Sequence, residues 1–142
     1  MAADLFEEHR QLVAAAEALL MIARREPPAR ADQITQLRMH LSNLAKTHLR
    51  SEDELIIAPL ITSGRAGELP EAQRIMEEIR NGQRIYSDHV RRWTLPAVEA
   101  DRAGYATALV DMIDYLRKMI EREEAYLYWP ALRLLSADRC TG

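Results

Sequence analysis

A chain of 142 residues that is 48% hydrophobic and 29% charged, with 5 Gly and 6 Pro, excludes disorder and a fibrous repeat and predicts a single domain over 1–142. The net charge of −3, from 19 Lys+Arg against 22 Asp+Glu with no basic block, excludes a phosphate-tracking surface, so no nucleic-acid partner is expected. The single cysteine, Cys140, excludes an intrachain disulfide, a cysteine-rich zinc site and an iron–sulfur cluster. The start MAADLFEEHR lacks the regions of a secretory leader, and no apolar run approaches the roughly 20 residues of a membrane span. A cytoplasmic protein with no membrane partner is expected.

Good helix formers dominate, and no stretch alternates apolar and polar residues between turn dipeptides. The first periodic segment runs from about Asp4 to Arg25, with Leu5, His9, Leu12, Ala16, Leu19 and Ala23 on one stripe, and Pro27 and Pro28 end it. A second starts near Ala31 and runs to about Thr62, with Pro59 expected to kink its last turn. SGRAGELP, residues 63–70, is a turn cluster, and Pro70 suits the first turn of a third helix. That helix carries Ile75, Ile79, Gly82, Tyr86, His89, Val90 and Trp93 until Pro96 interrupts it. The last starts after Gly104, carries Leu109, Met112, Leu116, Met119, Ile120, Glu123 and Leu127, and is expected to fray near Asp138. Four amphipathic helices with short connections predict an all-α fold, an antiparallel up-down-up-down four-helix bundle. The chain also repeats itself: HLRSEDELIIAPL (48–60) lies over MIEREEAYLYWPAL (119–132), matching Glu52 with Glu123, Ile56 with Leu127 and Pro59 with Pro130.

The informative residues break the apolar stripes, because a buried ionisable group is costly unless it is paired or binds a metal. His9 sits among Leu5, Leu12 and Val13. His48 and Glu52 are four apart, so they share one helix face and can reach a common ion. His89 follows Tyr86 on the third helix, and Glu123 lies between Met119 and Leu127 on the last. His9 is 19 residues before the first connection at Pro28 and His48 is 20 after it, so the two fall at one level. The third connection fits poorly, since His89 is roughly 10 residues from its middle and Glu123 more than 20. Taken singly, each of these is a hydrogen-bonded core or edge residue, but convergence from four helices favours a metal site. Imidazole and carboxylate donors suit iron, manganese or zinc. No histidine has a Glu three residues before it, which disfavours the ferritin-like pattern.

FEEHRQL (6–12), HLRSEDELIIAPL, SDHVRRW (87–93) and IEREEAYLYWPAL (120–132), in this order, resemble the hemerythrin-like, or HHE cation-binding, family. The resemblance implies a non-haem di-iron centre in the bundle core: His9 and His48 on one iron, His89 on the other, and Glu52 and Glu123 bridging. It also implies oxygen binding, oxygen, redox or nitric-oxide sensing, or iron handling, with dioxygen or nitric oxide as the small diatomic partner. The sequence departs from the family at Met119, where a ligand histidine is expected, and at Ile85. A mononuclear site, a di-iron site completed by water or by Tyr115, Tyr86 or Tyr126, and a metal-free bundle all remain open. His40 is peripheral. An activity as an enzyme is neither implied nor excluded.

A reading from another class is a metal-free helical interaction or signalling module. Its motive is the AYLYW run ending at Trp129, an aromatic surface for a homo-oligomer or protein partner. A phosphotransfer histidine is disfavoured, because His48 lies on the apolar stripe rather than in solvent.

Overall fold

The apolar stripes fold as helices. The computed structural model describes residues 2–141, and the side chains of 2–137; among these all regular structure is helical. In chain order the elements are α1 (Ala2–Ala23), α2 (Ala31–Glu52), α3 (Ala58–Thr62), α4 (Pro70–Arg92), α5 (Leu95–Ala100), α6 (Arg102–Glu123) and α7 (Trp129–Thr141). The helix passes through Asp138, where fraying was expected, and the side chain of Cys140 lies outside the described residues. No helix among the described residues is long and apolar enough to cross a membrane.

All six stripe residues of α1 are buried. This helix packs against both α2 and α6, and α4 packs against α6 and the turn that follows it, while the backbones of α2 and α4 stand farther apart and are bridged by Ser42 and Tyr86. The gap matters for access to the site.

Three boundaries differ from the sequence expectation for identifiable reasons. The helix after Ala31 does not run on to a kink at Pro59; it widens into a π-helical turn over Asp53–Ile57, where the Ala58 N–H reaches back five residues to the Asp53 carbonyl. The same widening occurs over Glu124–Tyr128, where the Trp129 N–H donates to the Glu124 carbonyl. In both copies of the repeat the next residue is proline, which has no N–H and whose ring crowds the carbonyl four back, so the turn opens by one residue rather than breaking. Secondly, Pro96 does not merely end the third helix but opens a helix of its own, α5, whose Thr94 side chain accepts from the Ala97 N–H at 3.4 Å. Thirdly, α6 starts two residues before Gly104: the Asp101 carboxylate accepts from the Gly104 N–H at 2.9 Å. A Cβ at Gly104 would stand 2.2 Å from that carboxylate, so the cap needs glycine there.

The core has two apolar halves. Leu12, Leu19, Ile34, Leu41, Trp93, Tyr105 and Leu109 form one. Leu5, Ile56, Leu60, Ile75, Leu127 and Tyr128 belong to the other. His9, one turn after Leu5 and one turn before Leu12, is buried at their junction, and so are His48, Glu52 and Glu123.

Candidate metal centre

Helical spacing brings the polar side chains to this junction. From α1 comes His9, from α2 the pair His48 and Glu52 one turn apart, and from the end of α6 Glu123. All four are buried, and each offers a ligand atom within 4.8 Å of the others. His9 Nε2 is 3.1 Å from Glu123 Oε2, and His48 Nε2 is 3.4 Å from Glu52 Oε2. Ligands about 2.1 Å from a shared ion stand roughly 3.0 to 3.4 Å apart between right-angled and tetrahedral geometry, so these spacings suit one cation.

The outer nitrogens are held as a metal site requires. His9 Nδ1 lies 2.7 Å from Glu124 Oε2, and His48 Nδ1 lies 2.8 Å from Glu8 Oε1, whose second oxygen accepts from the Ser51 hydroxyl at 3.0 Å. A carboxylate only accepts, so each Nδ1 carries a proton, and in its neutral form each imidazole turns the Nε2 lone pair inward. Tyr128 fills the middle: its hydroxyl donates to Glu52 Oε2 and stands 3.1 Å from His9 Nε2 and 3.2 Å from His48 Nε2. With the carboxylates ionised, two imidazole nitrogens, two carboxylate oxygens and a phenol oxygen then share the single phenolic proton. The centre is deficient in positive charge, which either extra protons or a cation supplies.

Titration follows from that deficit. Burial lowers the His48 pKa, but the hydrogen bond and charge of Glu52, the bond from Glu8 and the charge of Glu123 outweigh it, and the net shift is upward. Burial pushes Glu123 up, helped by the charge of Glu52 and opposed by His9. The Tyr128 phenol is likewise raised, by burial first and then by the surrounding carboxylates.

Of the five residues expected at the site, the structure brings four together and leaves His89 outside the group. Its ring stacks against Tyr105 at 6.1 Å, and burial followed by the charge of Arg38 lowers its pKa. None of the three tyrosines considered as oxygen ligands joins the cluster: Tyr86, which bonds Ser42 Oγ at 2.9 Å, and Tyr115, beside Gly82, line the cavity next to it, and Tyr126 is 41% exposed. Tyr128 was missed, as were Glu8 and Glu124. A regular helix turns the fifth residue after Glu123 about 140° away, whereas the wide π turn brings it back toward the same face. The signal was Pro130, at the place Pro59 occupies in the other copy.

A cavity of about 660 Å³ lies against the cluster, with His9, His48 and Glu123 in its wall beside Met119, Ile79, Leu116 and Tyr86. Residues of both α2 and α4 line it, along the gap between these helices. It gives the centre an apolar approach. Met119, at the position where a further histidine was expected, packs as a partly buried apolar residue.

The donor set fits a divalent or trivalent ion of the iron, manganese or zinc kind. Glu8 and Glu124 set the imidazole tautomers, so Glu8→Ala or Glu124→Ala is expected to weaken metal binding by roughly 10–100-fold while leaving all four ligands in place. Competition titration against a chelator measures this.

No curated protein and no solved structure gives a significant match to the chain. The sequence model of the hemerythrin HHE cation binding domain matches residues 1–132, nearly the whole chain. With four buried histidine and glutamate side chains converging in an all-helical chain, this match places the protein in the hemerythrin HHE cation-binding domain family.

Proposed function

We propose that the chain is a non-haem iron protein, a single antiparallel four-helix domain in which His9, His48, Glu52 and Glu123 hold one iron, and that it serves oxygen, redox or nitric-oxide sensing or iron handling in the cytoplasm. The observation that carries this reading is the positive-charge deficit of a buried cluster whose two imidazoles are fixed with Nε2 inward. One ion is favoured over two because the four side chains close on a single point, while His89, on the wall of the same cavity, stands apart from them. Iron would supply a Lewis-acidic, redox-active centre with room for a small ligand. The chain's own contribution is to hold the donors, to fix their protonation through Glu8 and Glu124, and to offer an apolar approach that favours an uncharged diatomic molecule over ions.

Stability as a function of pH tests the reading. In the metal-free protein the raised His48 and Glu123 pKa values contribute stability at acid pH, below the values these groups have in the unfolded chain. That contribution is lost as pH rises through their folded values, whereas an ion needs both groups deprotonated. Ferrous iron added without oxygen is therefore expected to raise Tm little at roughly pH 5.5, and by about 10 °C at pH 8 at an ion concentration near a thousandfold Kd. An equal shift at both pH values, or none at either, would contradict the assignment.

A second reading is favoured by one observation. Trp129 is 54% exposed beside Tyr126, which suits an aromatic contact with a protein partner or a second copy. Molar mass by light scattering across a dilution series, with and without iron, separates this from the metal reading.

A further inference from the structure

We propose that Tyr128 is itself a ligand, binding as phenolate to ferric iron and making the centre a site of two nitrogen and three oxygen donors for a single ion. The inference rests on the iron reading above and deepens it. Four observations carry it. The Tyr128 oxygen is 3.1 Å from His9 Nε2, 3.2 Å from His48 Nε2 and in a hydrogen bond with Glu52 Oε2. The two distances to nitrogen are the separations of neighbouring ligands around one ion, roughly 3.0 to 3.4 Å, so the phenol already stands at ligand spacing from two of the other donors. With both imidazoles neutral, as an ion requires, the two nitrogens it faces are lone-pair acceptors and its one proton is committed to Glu52, so these close approaches are then not all hydrogen bonds. The side chain is fully buried, its ring stacked on His9 at 5.2 Å and edge-on to Phe6 at 5.6 Å, so it cannot swing away to solvent.

The fold places it there for a reason of its own. The π turn over Glu124–Tyr128 carries the residue five after Glu123 back toward the ligand side, and the matched turn over Asp53–Ile57 carries Ile57, which has no donor atom. Only one copy of the repeat thus brings in a phenol. An anionic oxygen supplied by the protein favours the ferric over the ferrous state, because added negative charge stabilises the higher-charged ion. In the step itself the Tyr128 O–H bond breaks, an oxygen–iron bond forms, and the proton leaves to solvent. No electron moves.

The test uses the full chain, made metal-free and then loaded with one equivalent of ferric iron as its nitrilotriacetate complex. Wild type is expected to develop a visible phenolate-to-iron charge-transfer band, with tyrosine ring modes enhanced in resonance Raman on excitation into it. Tyr128→Phe should still bind iron but lose the band, and its preference for ferric over ferrous iron should fall at least tenfold. Tyr115→Phe, on the cavity wall, should keep both. Iron bound by wild type without the band, or an unchanged band in Tyr128→Phe, would overturn the inference and leave the iron reading standing. Failure of wild type to bind ferric or ferrous iron would overturn both. The Raman measurement on wild type decides the matter even if the variant does not fold.

Discussion

Glu123→Gln should make the metal-free protein more stable and the metal site nearly useless. The substitution keeps the side chain's shape but removes a carboxylate whose charged form is penalised by burial and by the neighbouring charge of Glu52. At pH 7 and above, the midpoint of thermal unfolding without metal should therefore rise, and the gain should vanish toward acid pH, where Glu123 is protonated in the wild type as well. Iron affinity should fall by more than about 100-fold, since even partners that only orient metal ligands are worth 10–100-fold. Calorimetry of the metal-free proteins and chelator competition read the two effects separately. A variant less stable than wild type at pH 8 that kept its iron affinity would show that Glu123 serves packing.

Inserting one alanine after Ala125 should cost most of the stability and the metal site together. Ala125 is exposed and lies inside the π turn, so the added residue displaces no buried side chain, but the turn already holds one residue more than an ordinary helical turn and cannot take up a second. Everything beyond it then rotates by about 100°. Tyr128, fully buried, would swing to the exposed place of Trp129, while the exposed Tyr126 would be driven into the place of Leu127. Exposing one ring and forcing in the other costs roughly 3–6 kcal/mol, against a total of about 5–15 kcal/mol for a domain. Insertion of a glycine beside Gly67, where a side chain would meet nothing in the turn between α3 and α4, is the control and should cost little. If the Ala125 insertion unfolded within about 1 kcal/mol of wild type and still bound iron, the register set by the π turn would not be what places the site.

How much of this was legible in the sequence depended on whether helical periodicity held. It held along α1 and α2, so the stripe through Leu5, His9 and Leu12 and the pairing of His48 with Glu52 predicted buried, converging polar groups before any contact was visible. The level count about Pro28 put His9 and His48 together, and the structure has their rings 4.5 Å apart. The same count fitted poorly at the third connection, and there the chain inserts α5 and leaves His89 beside Tyr105. Periodicity failed where Pro59 and Pro130 widened the helix, and with it went the placement of Tyr128. Glu8 was hidden for a different reason: it precedes His9 in sequence but bonds His48 across the helix interface, a crossing set by side-chain packing rather than by spacing along either helix.

Metal content tests the single-iron site most directly. The chain would be purified without chelator or an oligohistidine tag, loaded with excess ferrous iron in the absence of oxygen, desalted, and analysed for metal per chain. One iron per chain is expected, lost in a variant lacking both His9 and His48 and retained in His89→Ala. Two irons per chain, with loss of one in His89→Ala, would contradict the single-ion site, and no retained iron at all would contradict the metal centre itself.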